Sequence, residues 1–313
     1  MKRVAFVFPG QGSQTVGMGK AMYDAYPEVK EVVNQADELL RIDLSKLMFE
    51  GPKEELTNTE NAQPALLLTS TVIAKVLEDK GINPVMTAGH SLGEYSALVA
   101  SGSITMDDAL PLVRKRGQLM EQAFPKGQGT MAAVLGLNEA TIGDVLTEIT
   151  DDTNVVDIAN LNCPGQIVIS GSAEGIELAV ERLKAAGAKK VVPLNVSGPF
   201  HSSLMKPAAK EFERVLKQID INNATIPVYA NVTAEPVTDK SEIENLLVRQ
   251  LYSPVRFEET INNMLQQEID AIVEIGNGKV LTGLIKKINR RTKTFTLQDP
   301  ESVQAFIEWY EGE

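Results

Sequence analysis

A serine set between two glycines, Gly89-His90-Ser91-Leu92-Gly93, constrains this chain more than any other feature. The residues before it, Pro84 to Ala88, read as a strand, and those from Glu94 onward read as a helix. A strand that turns directly into a helix through G-x-S-x-G is the pattern of a nucleophile elbow. The glycines are needed because side chains flanking so sharp a turn would collide with strand or helix. The turn exposes the Ser91 hydroxyl beside a helix N-terminus, whose free N–H groups stabilise an oxyanion. The plainer alternative is a Gly-rich turn carrying an idle serine. The flanking strand and helix favour a nucleophile.

The elbow sits in an alternating pattern of strands and helices. Val4 to Phe8 is a short run apolar on both faces, as in a central parallel strand. Helices are expected to about Tyr26, over Pro27 to Leu40, over Pro64 to Asp79, over Gly93 to Ala100 and over Thr105 to Phe124. Thr105 and Asp108 form a capping pair at the start of the last of these. Such alternation predicts an α/β sheet with helices on both faces. After Gly127 the texture changes. Strands at Thr130–Leu135, Val155–Ala159, Gln166–Ser170 and Lys190–Leu194, with helices Asn138–Ile149 and Ala173–Ala186, give the order βαββαβ. That order matches a small ferredoxin-like unit, placed here as an insertion over 128–196 within a core of 1–127 and 197–313. Beyond it come a helix from Pro207 to Ile219, strands near Ile226–Asn231 and Ala271–Ile275, and helices between and after them.

A serine nucleophile requires a base, and the 313-residue chain has only His90 and His201. His90 adjoins Ser91 in the elbow, so its side chain is expected to point away from the hydroxyl. His201 lies in the loop Ser197-Gly198-Pro199-Phe200-His201-Ser202, between a strand and a helix. Loops at strand ends carry catalytic groups in such sheets, and the order serine then histidine is the hydrolase order. No acidic third member stands out, Glu235 and Asp239 included, so a neutral acceptor is a way to orient the imidazole. Arg116 is the most informative charge. Ala109, Leu112, Val113, Leu119, Met120 and Ala123 recur at helical spacing, and Arg116 falls in the middle of their stripe. A core-facing arginine needs an anion. A structural carboxylate or an anionic substrate would serve. Pro111, inside the same helix, is expected to kink it.

Composition narrows the classes. The 30 basic and 42 acidic residues give a net charge of −12, which disfavours a surface that tracks nucleic acid. One cysteine, Cys163, excludes an intrachain disulfide and a Cys-rich zinc site and suits a reducing compartment. Two histidines offer little for a metal site, and no metal or cofactor is expected. The loop Pro9-Gly10-Gln11-Gly12-Ser13-Gln14 fits neither G-x-G-x-x-G nor G-x-x-x-x-G-K, so nucleotide fingerprints fail. The apolar run Val4–Phe8 is too short for a signal peptide, and Pro64–Leu77 is too interrupted for a membrane span. The expectation is a cytoplasmic monomer without nucleic-acid or membrane partners.

These motifs together resemble the malonyl-CoA:acyl carrier protein transacylases of fatty acid synthesis. The resemblance runs nearly end to end. It rests on Gly10-Gln11-Gly12-Ser13-Gln14, Gly89 to Glu94, Arg116-Gly117, Asn160 to Gln166, Gly198-Pro199-Phe200-His201-Ser202 and Gln250-Leu251-Tyr252-Ser253-Pro254-Val255, in the family's order. It implies an α/β fold with a hydrolase-like parallel-sheet core and an inserted ferredoxin-like βαββαβ subdomain. It also implies that Ser91 is acylated, that His201 is the base, and that Arg116 holds the malonyl carboxylate. The Gln11 and Leu92 backbone amides form the oxyanion hole. Gln250 lies near the histidine, which leans on a backbone carbonyl in place of an aspartate. Phe200 resembles the residue of malonyl-selective members. Cys163 departs from the family, where many relatives have serine. The implied partners are malonyl-CoA and acyl carrier protein, a small acidic protein that a −12 enzyme repels at long range. Docking therefore needs a local basic patch. Lys189 with Lys190, and Lys286 with Lys287 near Arg290, Arg291 and Lys293, are the candidates. The rival readings are a serine hydrolase or thioesterase using the same pair, which has no need of Arg116, and a non-catalytic anion-binding module.

Overall fold

The computed structural model describes residues 2–312. Met1 and Glu313, which the sequence reading includes in the core, lie outside the described residues. Among the described residues ten strands form two sheets: β1 Val4–Phe8, β2 Met86–Gly89, β3 Gly129–Leu135, β4 Val156–Cys163, β5 Gln166–Ser172, β6 Lys190–Pro193, β7 Val228–Tyr229, β8 Pro236–Val237, β9 Ala271–Ile275 and β10 Thr294–Leu297. The larger sheet has the order β10-β9-β1-β2-β7-β8, parallel except for the β7–β8 pair at one edge.

Alternation explains why β1 and β9 lie in the middle. Val4, Phe6 and Phe8 enter one apolar core, while Ala5 and Val7 enter another on the opposite face. Ala271, Val273 and Ile275 divide from Ile272 in the same way. A strand with no polar face needs cover on both sides, and helices supply it. The β1–β2 register, Phe8 opposite Gly89, brings the loop after β1 beside the elbow after β2.

The smaller sheet is antiparallel, in the order β4-β5-β3-β6. Its helices Glu139–Ile149 and Ala173–Ala185 pack on one face with a separate core that includes Val134, Ile142, Ile169 and Leu183. Met131 and Val168, on the other face, join the main core. The Asn138 and Ser172 side chains cap the two helices at the N-terminus. A parallel bridge between Asn160 and Val255 ties β4 to the segment after Gln250.

Several elements differ from the sequence expectation. Short helices Leu44–Glu50 and Lys53–Thr57 have too few turns to show a periodicity. The helix expected from Pro64 begins at Thr59 and carries the proline inside. The turn ahead of Pro64 is held by the Asn58 carbonyl, which accepts from the Asn61 and Ala62 N–H groups at 2.9 and 2.8 Å, and the proline removes only one bond of the next turn. β4 continues past Ala159 to Cys163 through two irregular registers, which break the simple alternation. β10 forms where helices are expected, its Phe295 ring packed 4.6 Å from Trp309 and 5.1 Å from Phe306 of the last helix. The helix Met106–Gln122 runs on through Pro111, and its Thr105 cap accepts from the Asp108 N–H at 3.1 Å. Among the described residues no helix is long and apolar enough to cross a membrane.

Candidate active site

Ser91 occupies the tip of the elbow with φ 51°, a left-handed conformation that side chains adopt at a cost. Two features hold it there. A Cβ on Gly89 would overlap the Gly93 carbonyl, and one on Gly93 would overlap the Phe8 carbonyl, so only glycine permits this packing. From below, Asn231 clamps the turn. Its Oδ1 accepts from the Ser91 N–H at 2.8 Å, and its Nδ2 donates to the Gly89 carbonyl at 2.6 Å. The strain is offset locally.

His201 meets Ser91 from the loop before the helix Lys206–Leu216, with Oγ to Nε2 at 2.8 Å. Its Nδ1 lies 2.8 Å from the Gln250 backbone carbonyl. The helix Lys240–Gln250 ends there, and the last carbonyls of a helix lack partners within it. A carbonyl only accepts, so Nδ1 carries the proton and Nε2 presents its lone pair to the serine. Burial first, and the charge of Arg116 second, push the imidazole down to about 3. It is neutral at ordinary pH, the form a base requires. His90 turns elsewhere, its Nε2 2.8 Å from Asn162 Oδ1 and its ring against Phe257.

Arg116 is fully buried on the inner face of the helix Met106–Gln122. The neighbouring Gly117 lets this helix approach closely, since a Cβ there would lie 2.7 Å from the Thr59 carbonyl. The guanidinium Nη1 donates to Gln63 Oε1 at 2.9 Å, and Nη2 donates to Gln250 Oε1 at 2.8 Å. Nη2 also points to Ser91 Oγ at 3.3 Å. Among the described residues no carboxylate hydrogen-bonds Arg116. Gln250 thus serves twice, with its carbonyl on His201 and its side chain on Arg116. Its Nε2 donates to Glu94 Oε2 at 2.7 Å and to the Ser91 carbonyl at 3.0 Å.

A cleft of about 400 Å³ opens above the pair, lined by Gln11, Ser91, Met131, Asn160, Phe200 and His201 among others. It runs between the two sheets' territories. Gln11 is anchored by its amide to Thr59 Oγ1 at 3.1 Å. Neither the Gln11 nor the Leu92 backbone N–H has a partner among the described residues, whereas the Ser91 N–H is taken by Asn231. Lys189, Lys190, Lys286 and Lys287 do not line the cleft. They lie elsewhere. Leu135 pairs with Gln166 on one side and Lys190 on the other, the Lys189 N–H donates to the Leu135 carbonyl, and Lys287 Nζ reaches Gln166 Oε1 at 3.2 Å. Lys287 thus lies at the same end of the smaller sheet as Lys190, with β3 between the strand it touches and β6. Lys286 Nζ is spent on the Thr292 carbonyl at 2.6 Å.

Sequence reasoning gave no role to Gln63, Glu94 or Asn231. Glu94 is 2% exposed and accepts the Asn231 N–H at 3.1 Å. Burial lifts its carboxyl to about 7, against the pull of Asn231, Gln250 and the Arg116 charge. A glutamate in a helix's first turn looks like an ordinary helix start, and only its place directly after the elbow was a signal.

Residues 5–298 match the family model of the acyl transferase domain. The chain is 53% identical over 308 residues to the malonyl CoA-acyl carrier protein transacylase of Bacillus subtilis (strain 168), covering 98% of this chain and 97% of that one. A crystal structure of an acyl carrier protein S-malonyltransferase from Vibrio cholerae superposes with a TM-score of 0.95 at 44% identity, over 97% of this chain and 99% of that one. A type II PKS acyl-carrier protein in complex with its malonyl-transacylase matches equally well, with a TM-score of 0.95 at 42% identity over 98% and 99% of the two chains.

Proposed function

The chain belongs to the acyl transferase family, and from that premise we propose that it moves a malonyl group from malonyl-CoA to acyl carrier protein through an ester on Ser91. The observation that carries this reading is a fully buried Arg116 whose Nη2 stands 3.3 Å from the Ser91 hydroxyl. An acyl group on that hydroxyl brings its far end to the guanidinium, and a free carboxylate there meets a planar, permanently charged fork.

The transfer is ping-pong. His201 Nε2 takes the Ser91 proton as Oγ attacks the malonyl thioester carbonyl, and the oxyanion rests on the Gln11 and Leu92 N–H groups. The C–S bond breaks, and His201 returns the proton to the CoA sulfur. The phosphopantetheine thiol of the carrier protein then attacks the malonyl-Ser91 ester with His201 again as base. Phe200 forms part of the wall that favours malonyl, and Gln250 holds both His201 and Arg116. In this reading 1–127 and 197–313 form the catalytic core and 128–196 an inserted subdomain. Every named group comes from one chain, so a monomer suffices; the reading also takes a cytoplasmic enzyme with no part for nucleic acid or membrane. Intact mass after incubation with malonyl-CoA tests it: wild type gains one malonyl group and Ser91→Ala gains none. Rapid release of malonate without carrier protein would point instead to a hydrolase.

The acidic carrier protein is proposed to dock on the lysine surface at the end of the smaller sheet. Reversing Lys189 with Lys190, or Lys286 with Lys287, is expected to raise the KM for carrier protein several-fold while loading from malonyl-CoA hardly changes. Salt should shrink the defect. Within the second pair Lys287 should dominate, because the Lys286 ammonium is engaged at Thr292. Unchanged carrier-protein kinetics in both double variants at low ionic strength would remove these lysines from the docking surface.

A further inference from the structure

The proposed reaction leaves the buried carboxyl beside Arg116 and Ser91 without a part. Glu94 opens the helix after the elbow, and its Oε2 receives the Asn231 N–H and the Gln250 amide at 3.1 and 2.7 Å. Gln250 then joins it to Arg116, accepting from Nη2 at 2.8 Å. With no carboxylate bonded directly to Arg116 among the described residues, Glu94 is the counter-charge one amide away. It also sets the Gln250 side chain. An acceptor at Oε2 keeps the Gln250 Nε2 turned inward and its Oε1 turned to the guanidinium.

A malonyl group on Ser91 brings a second carboxylate to the same guanidinium. Two carboxylates around one buried cation do not both stay ionised without cost. The malonyl carboxylate contacts Arg116 directly, whereas Glu94 reaches it only through Gln250. Glu94 is the one to yield.

We propose, resting on the reaction assigned above, that Glu94 determines acyl specificity by proton exchange: above neutral pH it is ionised while Ser91 is free or carries an uncharged acyl group, and it takes up a proton from solvent when Ser91 carries malonyl. The step balances. Malonyl-CoA, the Ser91 hydroxyl, the Glu94 carboxylate and one solvent proton become malonyl-Ser91, protonated Glu94 and CoA thiol. The hydroxyl proton passes through His201 to sulfur as the C–O bond forms and the C–S bond breaks.

The electrostatics agree. Glu94 already sits at about 7 in the free site, raised by burial, so a nearby second carboxylate moves its titration upward through the neutral range. The other groups around it do not titrate there. Arg116, from the helix Met106–Gln122, stays charged. Tyr95, beside it on its own helix, is pushed up by burial and stays a phenol. Asn231 and Gln250 are neutral, and His201, across Ser91, is held down. Ionised Glu94 thus weakens the hold on malonyl at high pH and leaves acetyl untouched.

The test is the equilibrium acylation of Ser91 by intact mass between pH 6.5 and 9, at fixed acyl-CoA to CoA ratios, for malonyl and for acetyl. Thiol and phosphate ionisations of CoA are common to both and cancel in the malonyl-to-acetyl ratio. In wild type that ratio is expected to rise about threefold or more from pH 9 to 6.5, since one unit of pKa displacement is worth about tenfold. A pH indicator in weak buffer should register proton uptake with malonyl and none with acetyl. Glu94→Gln keeps an acceptor for Asn231 and Gln250 but has no charge, so its ratio should be flat and high. A flat wild-type ratio, equal proton uptake for the two acyl groups, or a Glu94→Gln slope matching wild type would each overturn the proposal. The two wild-type measurements decide it even if the variant does not fold. Absence of any malonyl adduct on wild-type Ser91 would overturn the reaction itself and this proposal with it. An adduct with a flat ratio would overturn the proposal alone.

Discussion

Arg116→Ala should lower malonyl loading of Ser91 by about 10²-fold or more, while acetyl loading falls far less or rises. A hydrogen bond to a charged group is worth about 1.5–3 kcal/mol, a carboxylate gripped by the fork makes two of them, and about 1.4 kcal/mol is tenfold in rate, so the lost grip accounts for a drop of this size. Acetyl has no carboxylate to lose. In wild type it leaves the buried guanidinium with no anion in direct contact and only Glu94, one amide away through Gln250, as counter-charge. The substitution also strands the amide oxygens of Gln63 and Gln250, so a melting curve should accompany the kinetics. Arg116→Lys is no remedy, because one ammonium cannot reproduce a fork that spans two glutamines and the substrate. Equal losses for malonyl and acetyl would make Arg116 structural.

His201→Ala should slow acylation of Ser91 by about 10² to 10⁴-fold with the fold intact, the usual worth of a positioned base. No second imidazole replaces it, since His90 is held by Asn162 and Phe257. His90→Ala should mainly affect the elbow and stability. Loss of acylation in folded His90→Ala, with activity kept in His201→Ala, would reverse the assignment. A pH signature accompanies the base. The folded imidazole is depressed from 6.5 to about 3, so the unfolded chain takes up a proton that the folded one refuses. Stability from this group is present above about 6.5 and declines as pH falls from there toward 3. Urea unfolding between pH 7 and 4 should show a shallower decline in His201→Ala than in wild type.

What could be read in advance follows from how local each cause is. Gly89 and Gly93 announce a close approach of backbones, and the structure meets them with carbonyls where a Cβ would be. Arg116 declares itself by breaking an apolar stripe, and it is buried as that implies. Alternation across β1 likewise foretells two cores. The acceptor for His201 was harder, because a helix-end carbonyl has no letter of its own in a sequence. Gln63, Glu94 and Asn231 are silent for another reason. Each is a common polar residue in an ordinary helix or strand-end position, and its meaning arises only when segments 53 to 156 residues apart fold together. β10 was hidden similarly: Thr294 to Leu297 becomes a strand because β9 offers an edge and the last helix covers Phe295.

The dual use of Gln250 separates two evolutionary tasks that many serine enzymes place on different residues. Its backbone carbonyl aligns the imidazole, and every amino acid at this position carries that carbonyl. Its side chain braces the guanidinium, and side chains can change. On the proposed reaction, proton transfer is thereby written into the path of the chain, out of reach of point substitution, while the choice of acyl group stays open to mutation at the same residue. Catalytic competence can persist while substrate range drifts.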